Sequence, residues 1–436
     1  MKSNISKFSD NYKESSYWLD DLSPTEEKNN RQHELPDQTD LLIVGSGYTG
    51  LNAAIETAKN GLKTVVVDEG ELGQGCSTKN GGQISTSIKP SLKALTEKYG
   101  TEKATAIRRE GLNALSWIEE LISHEKLNCD FMKSGRFHGA HTRKQYEKMC
   151  SSITELAKEN ITAHPIQKNA ISSEIGTDFY HGGLVFPDNA SLHPAKYHRE
   201  LIHVAKSKGS LLVDNCKALS INKDNDRFIV STTKGDVIAK QLAVATNGYT
   251  SSLTPWLKRR IIPIGSYIIA TESLDTSIMD RLFPTDRMIT DSRKVVFYYR
   301  PSPDRTKILF GGRVSAGETD PSKSGPKLIK DLVRLFPELN QVQISHSWTG
   351  TVAYSFDELA HFGRHNGMHY AMSYCGSGVS MASYLGMKMG RKISEAPNSE
   401  TAFDGLKYPS RPYYFGNPWF LPLAVEWYRL TDRLLC

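Results

Sequence analysis

Residues 40 to 83 constrain this chain more than any other stretch. Asp40-Leu-Leu-Ile-Val44 carries no charge after its first residue, the pattern of a parallel strand covered on both faces. Gly45-Ser46-Gly47-Tyr48-Thr49-Gly50 follows at once and fits G-x-G-x-x-G. Leu51, Ala54, Ile55 and Ala58 then fall on one helical face, and Gly61 stops the helix. Thr64-Val-Val-Val67 reads as a second strand and ends in Asp68-Glu69.

Each part of this strand–turn–helix–strand unit has a physical job. The first glycine makes the tight turn, the second lets backbone approach a pyrophosphate, and the third lets helix and strand pack closely. Free N–H groups at the helix start bind phosphate charge. Asp68, 18 residues past Gly50, is spaced to accept hydrogen bonds from a ribose. The unit predicts dinucleotide binding.

A second glycine-rich loop, Gly73-Gln-Gly-Cys76-Ser77-Thr-Lys-Asn80-Gly81-Gly82-Gln83, comes straight after the acid, too early for the next helix of a nicotinamide enzyme. It resembles the G-W-G-A-S-G-R-N-G-G-Q signature of FAD-dependent amine oxidases of the D-amino-acid-oxidase superfamily, and is closest in motifs to the gamma-glutamylputrescine oxidase group. The copy here departs from that signature at Gln74, Cys76, Thr78 and Lys79. In the family this loop wraps the pyrophosphate and the flavin edge, so the resemblance implies FAD as cofactor.

Composition is compatible with that reading. At 436 residues, 39% hydrophobic and 23% charged, the chain is long enough for two packed domains with a substantial core. No apolar run approaches the roughly 20 residues of a membrane span, and the N-terminus has no hydrophobic secretion core. The six cysteines, Cys76, Cys129, Cys150, Cys216, Cys375 and Cys436, are scattered without C-x-x-C, so reduced thiols and a cytoplasmic location are expected. A net charge of +6 is spread rather than striped, apart from Lys258-Arg-Arg260, which disfavours a nucleic-acid partner.

The expected architecture is α/β: a Rossmann-like FAD-binding domain, a βαβ unit with a three-stranded meander, interleaved with an α+β substrate domain on a mostly antiparallel sheet. Residues 1–36 read as an arm anchored by Tyr17-Trp18-Leu19, docking on the surface or, by family resemblance, nearing the active-site mouth. Residues 37–90, 182–255 and 350–395 are assigned to the FAD domain, and 91–181 with 256–349 to the substrate domain. Residues 129–133 are a candidate strand in an otherwise helical block. The meander spans 218–239 and leads into Leu242-Ala-Val-Ala245-Thr246 and the turn Asn247-Gly248-Tyr249. In the family the strand near Ala218 lies along the adenine, and Ala245 to Thr250 is a further match. Segments 262–272, 310–313 and 348–350 also resemble the family. The aromatic, amphipathic tail, 396–436, is expected to fold onto its own or a neighbouring subunit, with contact to a membrane as the competing reading.

Flavin amine oxidation asks little of side chains, because the cofactor carries the hydride step. The protein must favour the neutral amine, stabilise negative charge on the reduced ring and hold the substrate over it. Gly376-Ser377-Gly378-Val379, at the start of the last long helix, resembles the family turn whose N–H groups lie beside the flavin; family members often have histidine in place of Ser377. Arg313, after two glycines, is a candidate for binding a substrate carboxylate or the flavin, with a surface arginine as the competing reading. Tyr267, Tyr298 and Trp348 are candidate aromatic walls, with ordinary core packing as their alternative. His361, His365 and His369 recur at metal-ligand spacing, but the intervening glycines make the segment strand–turn–strand and no metal is expected. Some relatives attach FAD through a cysteine that would match a position near Gly350, so non-covalent FAD is expected, with Cys76 the residue able to change that. The activity implied is FAD-dependent oxidation of an amine or amino acid, with dioxygen reduced to peroxide. The alternatives are a dehydrogenase or demethylase feeding a quinone or carrier protein, or a flavin-bearing non-catalytic subunit. A monomer and a homo-oligomer both remain open.

Overall fold

The computed structural model describes residues 7–22, 34–315 and 320–434; the side chains of residues 313, 433 and 434 lie outside that description. Two large sheets organise the chain. In the first, Leu211–Val213, Thr64–Val67, Gln38–Val44 and Gly235–Val244 run parallel in that order. The last of these is shared: its first half pairs antiparallel with Arg227–Thr232 and its end pairs parallel with Met368–Met372. Ala218–Asp224 completes the meander. The strand Gln38–Val44 is buried on both faces, as its unbroken apolar run requires.

The second sheet has nine strands. Their order is Phe8–Lys13, Ile344–Tyr354, Ile262–Thr271, Ile308–Ser315, Tyr298–Pro301, Met288–Asp291, Arg136–Gly139, Gly182–Phe186, His164–Gln167. All its pairings are antiparallel except those of Phe8–Lys13 with Ile344–Tyr354 and of Met288–Asp291 with Arg136–Gly139. Gly182–Phe186 and residues 350–354, assigned from sequence to the FAD domain, pair within this sheet instead. The candidate strand at 129–133 is reduced to one isolated bridge, Met132 with Ser191. The strand comes a few residues later, where Arg136-Phe137-His138 alternates polar and apolar.

Helix Tyr48–Lys59 covers the first sheet and packs on helix Gly378–Ile393. The contact is close: a Cβ on Gly386 would stand 2.4 Å from the Thr49 carbonyl oxygen, and one on Gly390 2.7 Å from that of Ala53. His361–His365 and Met368–Met372 form a hairpin, as the glycine spacing predicts.

The N-terminal arm is part of the body. Phe8–Lys13 edges the nine-stranded sheet, and Trp18 is fully buried beneath the second glycine-rich loop. That loop is held from outside by its carbonyls. Thr78 O accepts from Ser16 Oγ at 3.0 Å, Lys79 O from Trp348 Nε1 at 2.9 Å and Asn80 O from Trp18 Nε1 at 2.8 Å. Asn80 ties the loop from within, donating to the Cys76 and Ser77 carbonyls and accepting from Gly82 N at 2.8 Å.

Two stability predictions follow from this packing. Trp18→Phe keeps the ring but orphans the Asn80 carbonyl and should cost about 1–3 kcal/mol; Trp18→Ala, which also opens a cavity, should cost about 3–5 kcal/mol. Urea unfolding measures both, and an unchanged midpoint in the alanine variant would contradict the docking. The second concerns acid. Burial lowers the pKa of His193 and of His369 to about 4, and His193 Nδ1 must stay unprotonated to accept from Lys196 N at the start of helix Pro194–Ser207. Below the usual histidine value of about 6.5 the unfolded chain therefore binds more protons than the folded one. Stability should be full above that pH and fall as pH drops through about 4, and His193→Asn, which keeps a cap acceptor, should flatten part of the slope in melting curves taken across that range.

Candidate active site

One cavity of about 770 Å3 runs between the two sheets, in the size range of small-molecule sites. Its floor begins at the first glycine turn. Gly45 has φ of 108°, and a Cβ there would stand 2.9 Å from the Ala245 carbonyl oxygen. Gly50 lies against the Gly45 carbonyl, where a Cβ would approach to 1.9 Å, so the third glycine serves helix–turn packing and is not on the cavity. Gly45, Ser46, Gly47, Tyr48 and Thr49 all line it. The helix that starts at Tyr48 has Gly47 as its N-cap, which offers no side chain of its own to the first N–H groups, and its positive end faces the cavity.

The acid at the end of the second strand is engaged with this turn. Asp68 Oδ2 accepts from Ser46 N at 2.8 Å and from Ser46 Oγ at 2.6 Å. Asp68 and Glu69 both line the cavity, and Glu69 pairs with Lys217 at 3.1 Å. Ala218, Ala245 and Asn247 line the same end; Asn247 Oδ1 accepts from Ser373 N at 2.9 Å. Gly248 is off the cavity, packed on Thr351. From the second loop Cys76, Ser77, Asn80, Gly81 and Gln83 line the cavity, with Ser77 Oγ accepting from Tyr48 N at 3.1 Å. Gly82 is turned away; its carbonyl faces Arg300, whose Nη1 lies 3.5 Å from it. Cys76 lies against Gly350, where a Cβ would stand 3.3 Å from its sulfur.

A second helix start enters from the far end of the chain. Gly376, Ser377, Gly378 and Val379 line the cavity, and helix Gly378–Ile393 has no side-chain N-cap. Ser377 Oγ instead donates to the Ser87 carbonyl at 2.7 Å.

The nine-stranded sheet forms the roof, and strand parity decides who faces in. Ile264, Ser266, Val314, Val352, Met288 and Tyr298 supply an aliphatic and aromatic surface. Tyr298 OH meets Ser266 Oγ at 2.8 Å. Tyr267, one residue out of phase, lies buried on the opposite side with its OH 2.5 Å from Ser315 Oγ, so it is no wall of the cavity. Trp348 is also off the cavity, because its indole reaches beneath the second loop. Arg313 is on the strand Ile308–Ser315, and its side chain lies outside the described residues.

At one end the roof turns polar. Arg136 and His138, two apart on one strand, face Met288 and Thr290 on the next. His138 Nδ1 lies 2.9 Å from Thr290 Oγ1, and burial beside Arg136 lowers its pKa to about 3, so the imidazole is neutral at physiological pH. Arg136 has no carboxylate partner among the described residues. Its Nε is buried without a hydrogen bond, its Nη2 is 3.4 Å from Ser87 Oγ, and its guanidinium lies 4.7 Å from the centre of the Phe186 ring. Burial draws its pKa down only to about 10, which leaves it charged. Asp291, also on the roof, is held by Arg293 Nε at 2.6 Å. Lys89 Nζ lies 5.2 Å from the Tyr354 ring centre; burial opposes its charge, but Tyr354, Glu358 and Cys375 together raise its pKa. Sequence reasoning missed Lys89, Arg136 and His138. The alternation in Arg136-Phe137-His138-Gly139 was the available signal, and its partner strand lies about 150 residues away.

The residues fit FAD. A glycine cradle at a helix N-terminus suits its pyrophosphate, the Asp68 end suits a ribose, and a second helix N-terminus, without a side-chain cap, suits an anionic ring edge.

Known proteins agree with this geometry. Residues 40–391 match the family model DAO, described as FAD dependent oxidoreductase. The chain is 27% identical over 412 residues to a probable oxidoreductase OrdL of Haemophilus influenzae, covering 91% of this chain and 93% of that protein. It is 28% identical over 406 residues to the gamma-glutamylputrescine oxidoreductase of Escherichia coli K12, with the same coverages of 91% and 93%. The crystal structure of glycine oxidase from Geobacillus kaustophilus superposes with a TM-score of 0.74 at 17% identity, over 87% of this chain and 100% of that one, which shows a shared fold. The chain belongs to the DAO family of FAD-dependent oxidoreductases.

Proposed function

We propose that the protein oxidises an amine that also carries a carboxylate. The CH–NH group becomes an imine, which water hydrolyses to a carbonyl compound and ammonia or a smaller amine. FAD, when bound, supplies the two-electron acceptor for this oxidation and is regenerated by dioxygen, with hydrogen peroxide as the by-product.

The observation that carries the reading is Arg136. A half-buried guanidinium on a cavity wall, with no counter-ion among the described residues, is costly unless a ligand anion completes it, and its planar donors match a carboxylate. Its surroundings do not compete for that role. His138 is neutral, Asp291 is taken by Arg293, and Asp68 and Glu69 are engaged with Ser46 and Lys217. Between Arg136 and the floor, Ile264, Met288, Val314 and Tyr298 provide an apolar stretch that favours the uncharged amine, the form that can be oxidised. The helix starting at Gly378 presents its positive end to charge developing on the acceptor. Among the relatives, glycine oxidase is named for an amine that bears a carboxylate.

Two outcomes test the reading. Arg136→Met should retain bound flavin and lower kcat/KM for a carboxylate-bearing amine by about 2–5 kcal/mol, roughly 30-fold or more, while a decarboxylated or esterified analogue is little affected. Peroxide-coupled rates measure both, and equal losses on the two substrates would sink the carboxylate assignment. Reduced flavin that persists in air would instead sink dioxygen as acceptor. Asp68→Ala, which removes the charged acceptor at Ser46 and at the ribose end, should weaken FAD by about 1.5–3 kcal/mol, on the order of 10- to 100-fold. Flavin fluorescence released on dilution reads that change.

A further inference from the structure

Seven of the eleven large hydrophobic residues exposed among the described residues fall between Tyr413 and Leu430. Trp419, Leu423, Trp427 and Leu430, spaced four, four and three apart, form one stripe along the C-terminal helix Leu421–Leu434 and the turn before it, with Leu423 73% and Trp427 63% exposed. Tyr413 and Phe415 extend the stripe. The opposite face is committed to the body. Leu421 and Val425 are buried, Tyr414 OH donates to the Ile261 carbonyl at 2.6 Å, and Asp432 accepts from Lys294 N at 2.9 Å and Val295 N at 3.0 Å. The segment is thus already docked, and its outward face is left to another partner.

We propose that this face docks on a lipid bilayer bearing anionic headgroups. Three cations accompany it: Arg259 with its guanidinium 4.7 Å from the Phe415 ring centre, Lys258 packed against Gly416, and Arg411, two residues before Tyr413 in the chain. None of the three makes an ion pair among the described residues, whereas the exposed Glu426 is paired with Arg429. Indole and leucine side chains rimmed by cations match the acyl–headgroup boundary of a negatively charged membrane. A second copy of the chain meeting this face across a two-fold axis would set the same cations against one another. No helix among the described residues is long and apolar enough to cross a membrane, so the contact is peripheral. Asp432 binds the backbone of Lys294 and Val295, both of which line the cavity, so docking would put the cavity rim beside the bilayer.

The test is co-sedimentation of the full-length holoenzyme with vesicles of phosphatidylcholine alone or mixed with phosphatidylglycerol, with tryptophan emission followed in parallel. Binding should require phosphatidylglycerol, weaken with salt and shift the emission to the blue. Leu423→Ser with Trp427→Ser should abolish it, and Arg259→Glu should weaken it by about fivefold or more, both with unchanged turnover of soluble substrate. Equal binding to both vesicle types, binding to neither, or a dimer that the double variant dissolves would overturn the proposal.

Discussion

The close crossing of two helices from opposite ends of the chain underlies the site. Gly386 and Gly390 let helix Gly378–Ile393 settle on the backbone of Thr49 and Ala53. A side chain at either glycine would push the helices apart by more than the van der Waals gap that well-packed interiors tolerate. Held together, the two helices bring two N-termini to one cavity, one beside the glycine turn and one beside Ser377. Each supplies fixed partial positive charge without needing a charged side chain. A ligand with a pyrophosphate at one end and an electron-accepting ring at the other meets both.

The second loop completes the floor by a related device. Its carbonyls turn outward to Ser16, Trp348 and Trp18, and Asn80 ties its interior. The donors come from the N-terminal arm and from the nine-stranded sheet, so cofactor loop and roof are coupled through ordinary buried hydrogen bonds. A loop with its carbonyls satisfied from behind is preorganised before any ligand arrives. Arg136 on the roof, with a neutral histidine beside it, then places a positive charge on the cavity wall.

What the sequence disclosed follows the range of the interactions. The first βαβ unit, the meander and the turn before the last long helix are local patterns whose glycines and periodicity are legible without partners. Functions that depend on register are not. Tyr267 and Tyr298 are both tyrosines in strands, and only the pairing with Gly312 and Gly311 decides that the second faces the cavity. Gly182–Phe186 looks like an apolar strand of either sheet, and its place is set by Arg136–Gly139 and His164–Gln167. Phe8–Lys13 is polar, as an edge strand can be, and so reads as an extended arm. Trp18 reads as a surface anchor or a residue of the site mouth and Trp348 as a cavity wall or ordinary core; both are buried and serve the loop from behind.

The central claim is that a flavin lies between these two sheets and takes electrons from an amine held by its carboxylate. An anaerobic titration of the purified protein with amino acids, followed by visible absorption, examines this most directly. The purified protein should be yellow, with flavin bands that bleach on adding a carboxylate-bearing amine and return when air is admitted. A colourless protein that ignores added FAD yet retains a nicotinamide nucleotide, or flavin bands that only carboxylate-free amines bleach, would contradict it.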